Sequence, residues 1–263
     1  MTEPVEFSTL SPSILERNDR LRVGRQILAV LEADLSVSGL PNLRVLDIGC
    51  SSGVITSLLA EVSGPTTGID VDDNALRLAR LEPPRPNLRF LAMNASQLDF
   101  PSESFDIVVC NQVYYWLEDP GRLMAEILRV LAPGGRCFFA AVNKYKLWEA
   151  QYRLPFLSFL PRGLADLYVR AAGKGERCGC RYLSFGDLKR LCGDFVVHRY
   201  TARILKDPEQ YKFTKLSALK RISSALPLGW LDALEPLSPN FVWVLEKPGE
   251  PVEPGETRRE RSR

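Results

Sequence analysis

The chain is poor in residues that several classes of protein require. Its 263 residues include a single histidine and six cysteines. Six cysteines in so long a chain do not make a disulfide framework, so we expect reduced thiols and a cytoplasmic location. Cys178 and Cys180 stand two positions apart, but no second pair and no neighbouring histidine completes a zinc site. We therefore expect no bound metal.

Charge of one sign and long apolar runs are also lacking. Lysine and arginine total 34 against 32 aspartates and glutamates, a net charge of +2, so no nucleic-acid partner is expected. The longest uncharged run, Ile48–Ala60, falls short of the roughly 20 apolar residues that cross a bilayer. Glu3 and Glu6 stand where a secretory signal would need an apolar core. These patterns predict no membrane span and no signal peptide.

Strand-like and helix-like segments alternate through the first half of the chain. The predicted strands cover residues 43–48, 66–71, 88–93, 105–110 and 136–142. The predicted helices cover residues 54–62, 73–81 and 119–131. Such alternation is typical of right-handed crossovers, and it predicts an α/β fold with a doubly wound, mostly parallel sheet.

The alternation of strands and helices stops after Val142 and resumes only in part. A helix over residues 184–192, a strand over residues 195–204 and a strand over residues 241–246 are predicted. The expected organisation is an N-terminal helical segment (1–39), a main domain (40–247) with insertions at about 143–181 and 207–239, and a disordered tail (248–263). Pro155 and Pro161 are expected to divide the first insertion into short helices.

The most informative stretch is Val45–Gly53, with the sequence VLDIGCSSG, between the first strand and its helix. Small residues there let backbone N–H groups approach a ligand closely at the positive end of the helix. Asp70 ends the second strand, at the distance from Gly49 where an acidic residue usually holds a ribose diol. Loop and acid together indicate a nucleoside-containing cofactor.

Two common cofactor motifs do not fit this loop. A nicotinamide site would need G-x-G-x-x-G, which Gly49, Ser51 and Ser52 do not supply, and a phosphate-binding P-loop motif is absent. Asp47 would lie badly beside a pyrophosphate. It suits a ligand that carries a cationic amine and no phosphate.

These motifs together resemble the class I S-adenosylmethionine-dependent methyltransferases, in their small-molecule branch, which includes the ubiquinone- and menaquinone-type enzymes. VLDIGCSSG is similar to the family's first motif, GIDVD (68–72) to its second, and FDIVVCNQVYYWLEDP (105–120) to its fourth strand and the following loop. The resemblance implies a seven-stranded Rossmann-like sheet and S-adenosyl-L-methionine as cofactor. It implies that the cofactor-binding residues are Asp47, Gly49, Cys50, Ser51, Gly53, Asp70, Val71, Asn94, Ala95 and Asn111.

Two positions depart from the family pattern. Ser51 stands where many relatives have a glycine, and Asn94 replaces the acid that usually precedes the alanine contacting adenine. An asparagine still donates and accepts hydrogen bonds at an adenine edge. Both positions therefore remain compatible with the cofactor.

A serine hydrolase is one alternative, because Gly49-Cys50-Ser51-Ser52-Gly53 also matches the G-x-S-x-G nucleophile elbow. His198 is the available base. However, the loop follows the first strand rather than a middle one, and no oxyanion loop precedes it. A non-catalytic cofactor-binding scaffold is the other alternative.

The acceptor side is less clear from the sequence. The resemblance places Tyr114 and Tyr115 near the transferred methyl group, and the 143–181 insertion, which contains Trp148 and Tyr152, over the acceptor as a lid. Aromatic residues in such a lid indicate a small apolar or aromatic acceptor, or they only pack the lid onto the sheet. A lipid or quinone acceptor would imply contact with a membrane surface. The pattern identifies no general base, methylated atom or oligomeric state.

Overall fold

A computed structural model describes residues 16–149, 152–219 and 223–249. The expectations for residues 1–15 and 250–263 lie outside the described residues. The strands are β1 (Val45–Ile48), β2 (Thr66–Asp70), β3 (Leu88–Ala92), β4 (Phe105–Asn111), β5 (Leu131–Val142), β6 (Trp148–Glu149), β7 (Leu154–Pro155), β8 (Val196–Arg199) and β9 (Asn240–Glu246). The helices named below are α1 (Arg17–Leu35), α2 (Val54–Ala60), α3 (Asp73–Ala79), α4 (Pro120–Val130), α5 (Arg162–Ala171), α6 (Phe185–Leu191), α7 (Thr201–Lys206) and α8 (Leu228–Leu234).

The described residues form one seven-stranded sheet with the order β3-β2-β1-β4-β5-β9-β8. β1 pairs in parallel with both β2 and β4, and the parallel ladder continues to β3 and β5. β9 lies antiparallel between β5 and β8. The predicted doubly wound, mostly parallel sheet is confirmed. Its strand order reverses between β1 and β4, the kind of switch point at which open α/β sheets bind ligands.

The central strands are buried on both faces, which explains their continuous apolar sequences. Leu46, Ile48 and Val108 face one hydrophobic core, on the side that α4 and α6 cover. Val45 and Ile107 face a second core, on the side that α1 and α2 cover. Helices cover both faces of the sheet. The carboxyl ends of the strands, with the loops that follow them, are therefore an accessible part of the sheet.

The predicted strand over residues 195–204 is wrong in its second half. β8 ends at Arg199, and α7 begins at Thr201. The reason is a contact with the neighbouring strand β9. The Thr201 hydroxyl accepts the backbone N–H of Val242 at 3.0 Å, in place of a backbone carbonyl of a longer β8. The alternating apolar residues after Arg199 therefore pack against the core from a helix.

The 143–181 segment contains more than the short helices expected there. It has the β6–β7 hairpin, a 3-10 turn at Leu157–Phe159 and the ten-residue helix α5. Pro155 lies within β7, and Pro161 immediately precedes α5, where a missing N–H costs nothing. Within the part of the chain that the structure describes, no helix has the length and hydropathy to cross a membrane.

A buried polar cluster joins α1 to the far edge of the sheet. Asp34 accepts hydrogen bonds from Arg136 Nε at 2.9 Å and from Tyr200 Oη at 3.1 Å. His198 lies beside it, with its Nε2 2.9 Å from Glu246 Oε2. The Asp34 side chain is only 3% exposed. Its carboxylate thus links α1 to β5 and to the end of β8.

We expect Asp34→Ala to lower the free energy of unfolding by about 3 kcal/mol, because it leaves the buried Tyr200 hydroxyl without its partner and leaves the half-buried Arg136 with Glu246 as its remaining carboxylate. Urea denaturation followed by circular dichroism measures the change. Asp19→Ala is the matched control, since Asp19 forms an exposed pair with Arg22 on the same helix, and its effect should be much smaller. Equal effects of the two substitutions would contradict the role of the buried cluster.

Candidate active site

The loop between β1 and α2 has a backbone that requires glycine at both ends. Gly49 and Gly53 have φ angles of +71° and +74°. A Cβ at Gly49 would lie 2.7 Å from Val113 Cγ2, and one at Gly53 would lie 2.7 Å from Ala79 Cβ. The two glycines therefore let the loop fold tightly against its neighbours, as the sequence predicts.

Asp70 ties the end of β2 to this loop. One oxygen of its carboxylate accepts the N–H of Ser51 at 2.8 Å, and the other accepts the N–H of Asp72 at 3.0 Å. Ser51 itself has a φ of +50°, so the residue that replaces a glycine keeps the left-handed conformation. Burial raises the pKa of Asp70, while the backbone N–H donors oppose that rise. The carboxylate is thus fixed beside the loop by backbone N–H groups of Ser51, Val71 and Asp72.

Asp47 lies at the carboxyl end of β1 and is buried. Its Oδ2 accepts the hydroxyl of Thr56 at 2.6 Å. Burial raises the pKa of Asp47 to about 7, against the opposing effects of the Thr56 hydrogen bond and the charge of Arg20. The carboxyl therefore changes its protonation near neutral pH, and a cationic ligand would favour its ionised form.

Arg20 is a site residue that the sequence pattern did not identify. It lies on α1, where burial lowers its pKa and the charges of Asp47 and Asp70 raise it. Nothing in the amphipathic pattern of α1 distinguishes Arg20 from the other arginines there. Only the packing of α1 across α2 brings this cation to two carboxylates that lie 27 and 50 positions further along the chain.

The polar groups of the loop fit the expected cofactor. Arg20 suits the carboxylate of S-adenosylmethionine, Asp47 suits its amine, and Asp70 suits the vicinal hydroxyls of its ribose. Ser52 Oγ is buried and has no hydrogen-bond partner among the described residues. A buried hydroxyl of this kind is normally satisfied, so a ligand in the loop would supply its missing partner.

The other predicted cofactor residues lie around the same edge of the sheet. Cys50 is buried, and burial raises the pKa of its thiol. Val71 is exposed after β2. Asn94 follows β3, and its Oδ1 accepts the N–H of Ser96 at 2.9 Å, with Ala95 buried beside it. Asn111 is the last residue of β4.

The two predicted acceptor residues of the loop after β4 occupy different environments. Tyr114 is fully buried; its hydroxyl donates to the carbonyl of Val142 at 2.7 Å and accepts the N–H of Leu183 at 3.1 Å. It therefore joins the sheet to the segment that follows the insertion. Tyr115 is also largely buried, but it lines a cavity.

This cavity, the lid cavity, lies between the loop after β4 and the 143–181 segment. It is small, about 50 Å³, which is room for a few water molecules. Two of its lining residues, Gln112 and Tyr115, are close in sequence to Val113, whose side chain lies against Gly49 of the cofactor loop. Its lining consists of Gln112, Tyr115, Val142, Lys146, Glu149, Ser158 and Tyr182.

The two predicted acceptor residues of the insertion do not line this cavity. Trp148 is 55% exposed on the outside of the β6–β7 hairpin. Tyr152 is buried, and its hydroxyl accepts the N–H of Gly179 at 2.8 Å. Tyr152 thus holds the two ends of the insertion together. Glu149, Lys146 and Tyr182 line the cavity instead, and no motif in the sequence marks them.

His198 lies far from the cofactor loop along the sheet. It belongs to β8, the edge strand opposite β3, with three strands between β8 and β1. Its ring is engaged by Glu246 and lies beside Asp34. Because the chain has only this histidine, Ser51 has no histidine base, and the serine-hydrolase alternative is not supported.

Comparison with known proteins gives a family match over the cofactor region. Residues 46–139 match the family described as "Methyltransferase domain". The chain is 33% identical over 142 residues to a protein of Aromatoleum aromaticum named ubiquinone biosynthesis O-methyltransferase, an alignment that covers 51% of this chain and 59% of that one. The chain therefore spans about three fifths of the length of this curated relative.

Solved structures share the fold. A methyltransferase from Mesorhizobium loti superposes with a TM-score of 0.54 at 17% identity, over 81% of this chain and 94% of that one. The plantazolicin methyltransferase BpumL, solved with SAH and a monoazolic desmethylPZN analogue, superposes with a TM-score of 0.56 at 16% identity. That alignment covers 91% of this chain and 89% of BpumL. At these identities the likeness shows the Rossmann-like methyltransferase fold and no more.

We expect Asp70→Ala to weaken the binding of S-adenosylhomocysteine at least about tenfold, because it removes a charge-assisted contact to the ribose and frees the loop amide of Ser51. Isothermal titration calorimetry measures the affinity. Asp73→Ala is the matched control: Asp73 is exposed at the start of α3, and its loss should leave the affinity nearly unchanged. Equal affinity in the Asp70 variant and the parent would overturn the ribose assignment.

We expect the same affinity to rise with pH between about 6 and 8, because Asp47 has a raised pKa of about 7 and only its ionised form attracts an amine cation. The gain should approach tenfold per pH unit below that pKa. Because the pKa of Asp47 is higher in the folded than in the unfolded state, the carboxyl of the unfolded chain ionises at lower pH. The free energy of unfolding therefore decreases as the pH rises from the ordinary aspartate pKa towards 7. Asp47→Asn should remove the pH dependence of binding; its persistence in that variant would refute the assignment.

Proposed function

We propose that this chain, whose core is a class I S-adenosylmethionine-dependent methyltransferase domain, transfers a methyl group from that cofactor to a hydroxyl group of a small apolar or aromatic acceptor. The observation that carries the proposal is the Asp70 carboxylate, which is bound to the Ser51 amide beside Asp47 and Arg20. An arginine and two carboxylates at the switch point of the sheet match the carboxylate, amine and ribose diol of one ligand.

The residues of this chain would bind and orient the cofactor. Arg20 would pair with its carboxylate, Asp47 with its amine and Asp70 with its ribose hydroxyls, while Val71 and Asn94 would contact its adenine. When bound, S-adenosylmethionine supplies a methyl group on a sulfonium, and the sulfonium charge disappears as the methyl group leaves. Holding acceptor and methyl group in line supplies most of the acceleration, as much as ~7–11 kcal/mol in favourable cases.

The lid cavity supports an acceptor site next to the cofactor loop. The rings of Tyr115 and Tyr182 form part of its wall, and Lys146 and Glu149 add polar groups. Its volume of about 50 Å³ admits the reacting end of a small acceptor and no more, so the 143–181 segment would move outward to admit a ring. We accordingly propose this segment as the acceptor lid, with Trp148 on its outer surface and Tyr152 holding it closed.

We infer the class of acceptor in part from the relative in Aromatoleum aromaticum, which is named ubiquinone biosynthesis O-methyltransferase. A hydroxyl on an apolar ring fits both that name and the tyrosine-lined cavity. A cytoplasmic location accords with this chemistry, and a quinone-like acceptor would bring the lid to a membrane surface. The scaffold alternative shares the cofactor site but would not need polar groups in the lid cavity.

The proposal is tested by incubating the protein with methyl-labelled S-adenosylmethionine and a small-molecule extract of the source cells. We expect label in a compound that partitions into organic solvent, and we expect Asp70→Ala to lower its yield at least about tenfold at subsaturating cofactor. Tyr152→Ala should lower the melting temperature, because the Tyr152 hydroxyl accepts the N–H of Gly179, whereas Trp148→Ala, outside the lid cavity, should leave the melting temperature and the acceptor KM nearly unchanged. Binding of S-adenosylhomocysteine without transfer of label to any fraction would favour the scaffold.

A further inference from the structure

We propose that Tyr182 and Glu149 form the proton-accepting pair of the acceptor site, so that this chain acts on a hydroxyl that enters in its protonated form. The inference rests on the proposed function and deepens it. It concerns two residues that lie 33 positions apart in the sequence and that the closed lid brings to one wall of the cavity.

Glu149 is a buried carboxylate held in a defined orientation. It is 2% exposed, at the end of β6. Its Oε2 accepts the N–H of Tyr152 at 2.5 Å, and its Oε1 accepts the hydroxyl of Tyr182 at 2.6 Å. A buried carboxylate is costly to maintain unless it is hydrogen-bonded; one of these two bonds comes from within the lid and the other from Tyr182, immediately after it. The carboxylate is therefore built into the closed lid.

Tyr182 presents the other side of its hydroxyl to the cavity. Its proton points to Glu149, and the Cys180 side chain is within hydrogen-bond reach of the same hydroxyl. A phenolic oxygen has two lone pairs, so one is left to accept a hydrogen bond from a group in the cavity. The Tyr182 ring lies 5.0 Å from the ring of Tyr115, measured between centroids, and both residues line the same space. An acceptor hydroxyl that enters between them would meet Tyr182 Oη directly and Glu149 Oε1 through it.

Burial raises the pKa of Tyr182 far above its ordinary value, and the charge of Glu149 adds to that effect. Tyr182 therefore stays protonated and passes a proton on rather than holding a negative charge. Several other titratable groups influence or face this pair. They are Tyr115, Lys146, Tyr152, Cys178 and Cys180. Burial is the first cause of the pKa shifts of Lys146, Tyr152, Cys178 and Cys180.

The proton transfer balances in atoms and charge. As the acceptor oxygen forms its bond to the methyl carbon, the carbon–sulfur bond breaks and sulfur takes the electron pair. The acceptor proton moves to Tyr182 Oη while the Tyr182 proton moves to Glu149 Oε1. The positive sulfonium and the negative carboxylate disappear in the same step, which a buried site of low polarity favours.

Lys146 supports this arrangement without replacing it. It lines the cavity, and its Nζ lies 3.5 Å from Asn240 Oδ1. Burial lowers the pKa of Lys146, and the charge of Glu149 opposes that change. As a cation it would attract the developing negative charge on the acceptor oxygen. It has no hydrogen bond to Tyr182 among those of the described residues, whereas Glu149 does.

The test compares two phenols that differ in acidity. At about pH 8, 4-nitrophenol is already ionised, whereas 4-methylphenol, about as weakly acidic as tyrosine, is not. Methylation of each by S-adenosylmethionine is measured for the parent and for Glu149→Gln, Tyr182→Phe and Lys146→Met. Tyr145→Phe is the matched control, because Tyr145 is an exposed tyrosine of the same segment outside the cavity. Calorimetry with S-adenosylhomocysteine and melting temperatures are recorded for every variant.

We expect Glu149→Gln and Tyr182→Phe to slow the methylation of 4-methylphenol by about a hundredfold or more, within the range of general-base effects. Methylation of 4-nitrophenol should change less than about tenfold, and cofactor affinity should stay unchanged. Equal losses on both phenols, loss only in Lys146→Met, or a parent that methylates neither phenol would overturn the inference. A parent that fails to bind S-adenosylhomocysteine would instead refute the proposed function and the inference with it.

Discussion

The hydrogen bond between the Asp70 carboxylate and the Ser51 amide is the contact on which the site depends. It joins the end of β2 to the loop after β1, at the edge where the strand order reverses. A loop that contains Ser51 with a positive φ needs an outside partner to keep that conformation. The carboxylate provides one and thereby sets the shape of the space for the cofactor. Asp47 and Arg20 then supply opposite charges around a position that the sheet has already defined.

The lid depends on a second buried carboxylate in a comparable way. Glu149 binds the backbone of Tyr152 and the hydroxyl of Tyr182, and Tyr114 links Val142 to Leu183. These bonds connect the start of the insertion to its end, and two of the residues that make them, Glu149 and Tyr182, also line the lid cavity. In the proposed mechanism Glu149 and Tyr182 therefore carry a structural and a chemical role together. Substitutions there need readouts that separate stability from chemistry.

Local sequence patterns predicted the parallel part of the sheet well. Buried strands such as β4 are continuous apolar runs, and the glycines of the first loop mark a turn that only small residues allow. The patterns failed where a side chain replaced a backbone partner: Thr201 caps Val242 and ends β8 early. They also did not show that the Tyr114 hydroxyl bonds the backbone of Val142 and Leu183 within the fold. An aromatic residue after a strand has the same local signature in either role.

The sequence by itself determined the fold class, the cofactor loop and the position of Asp70, because each depends on residues within one strand–loop–helix unit. Only the tertiary structure decided which other groups meet them. Arg20 reaches the loop because α1 packs across α2, His198 is removed to the far edge by the strand order, and Glu149 meets Tyr182 because the insertion folds back on itself. Such contacts are long-range: they depend on the packing of whole elements, which no local periodicity records.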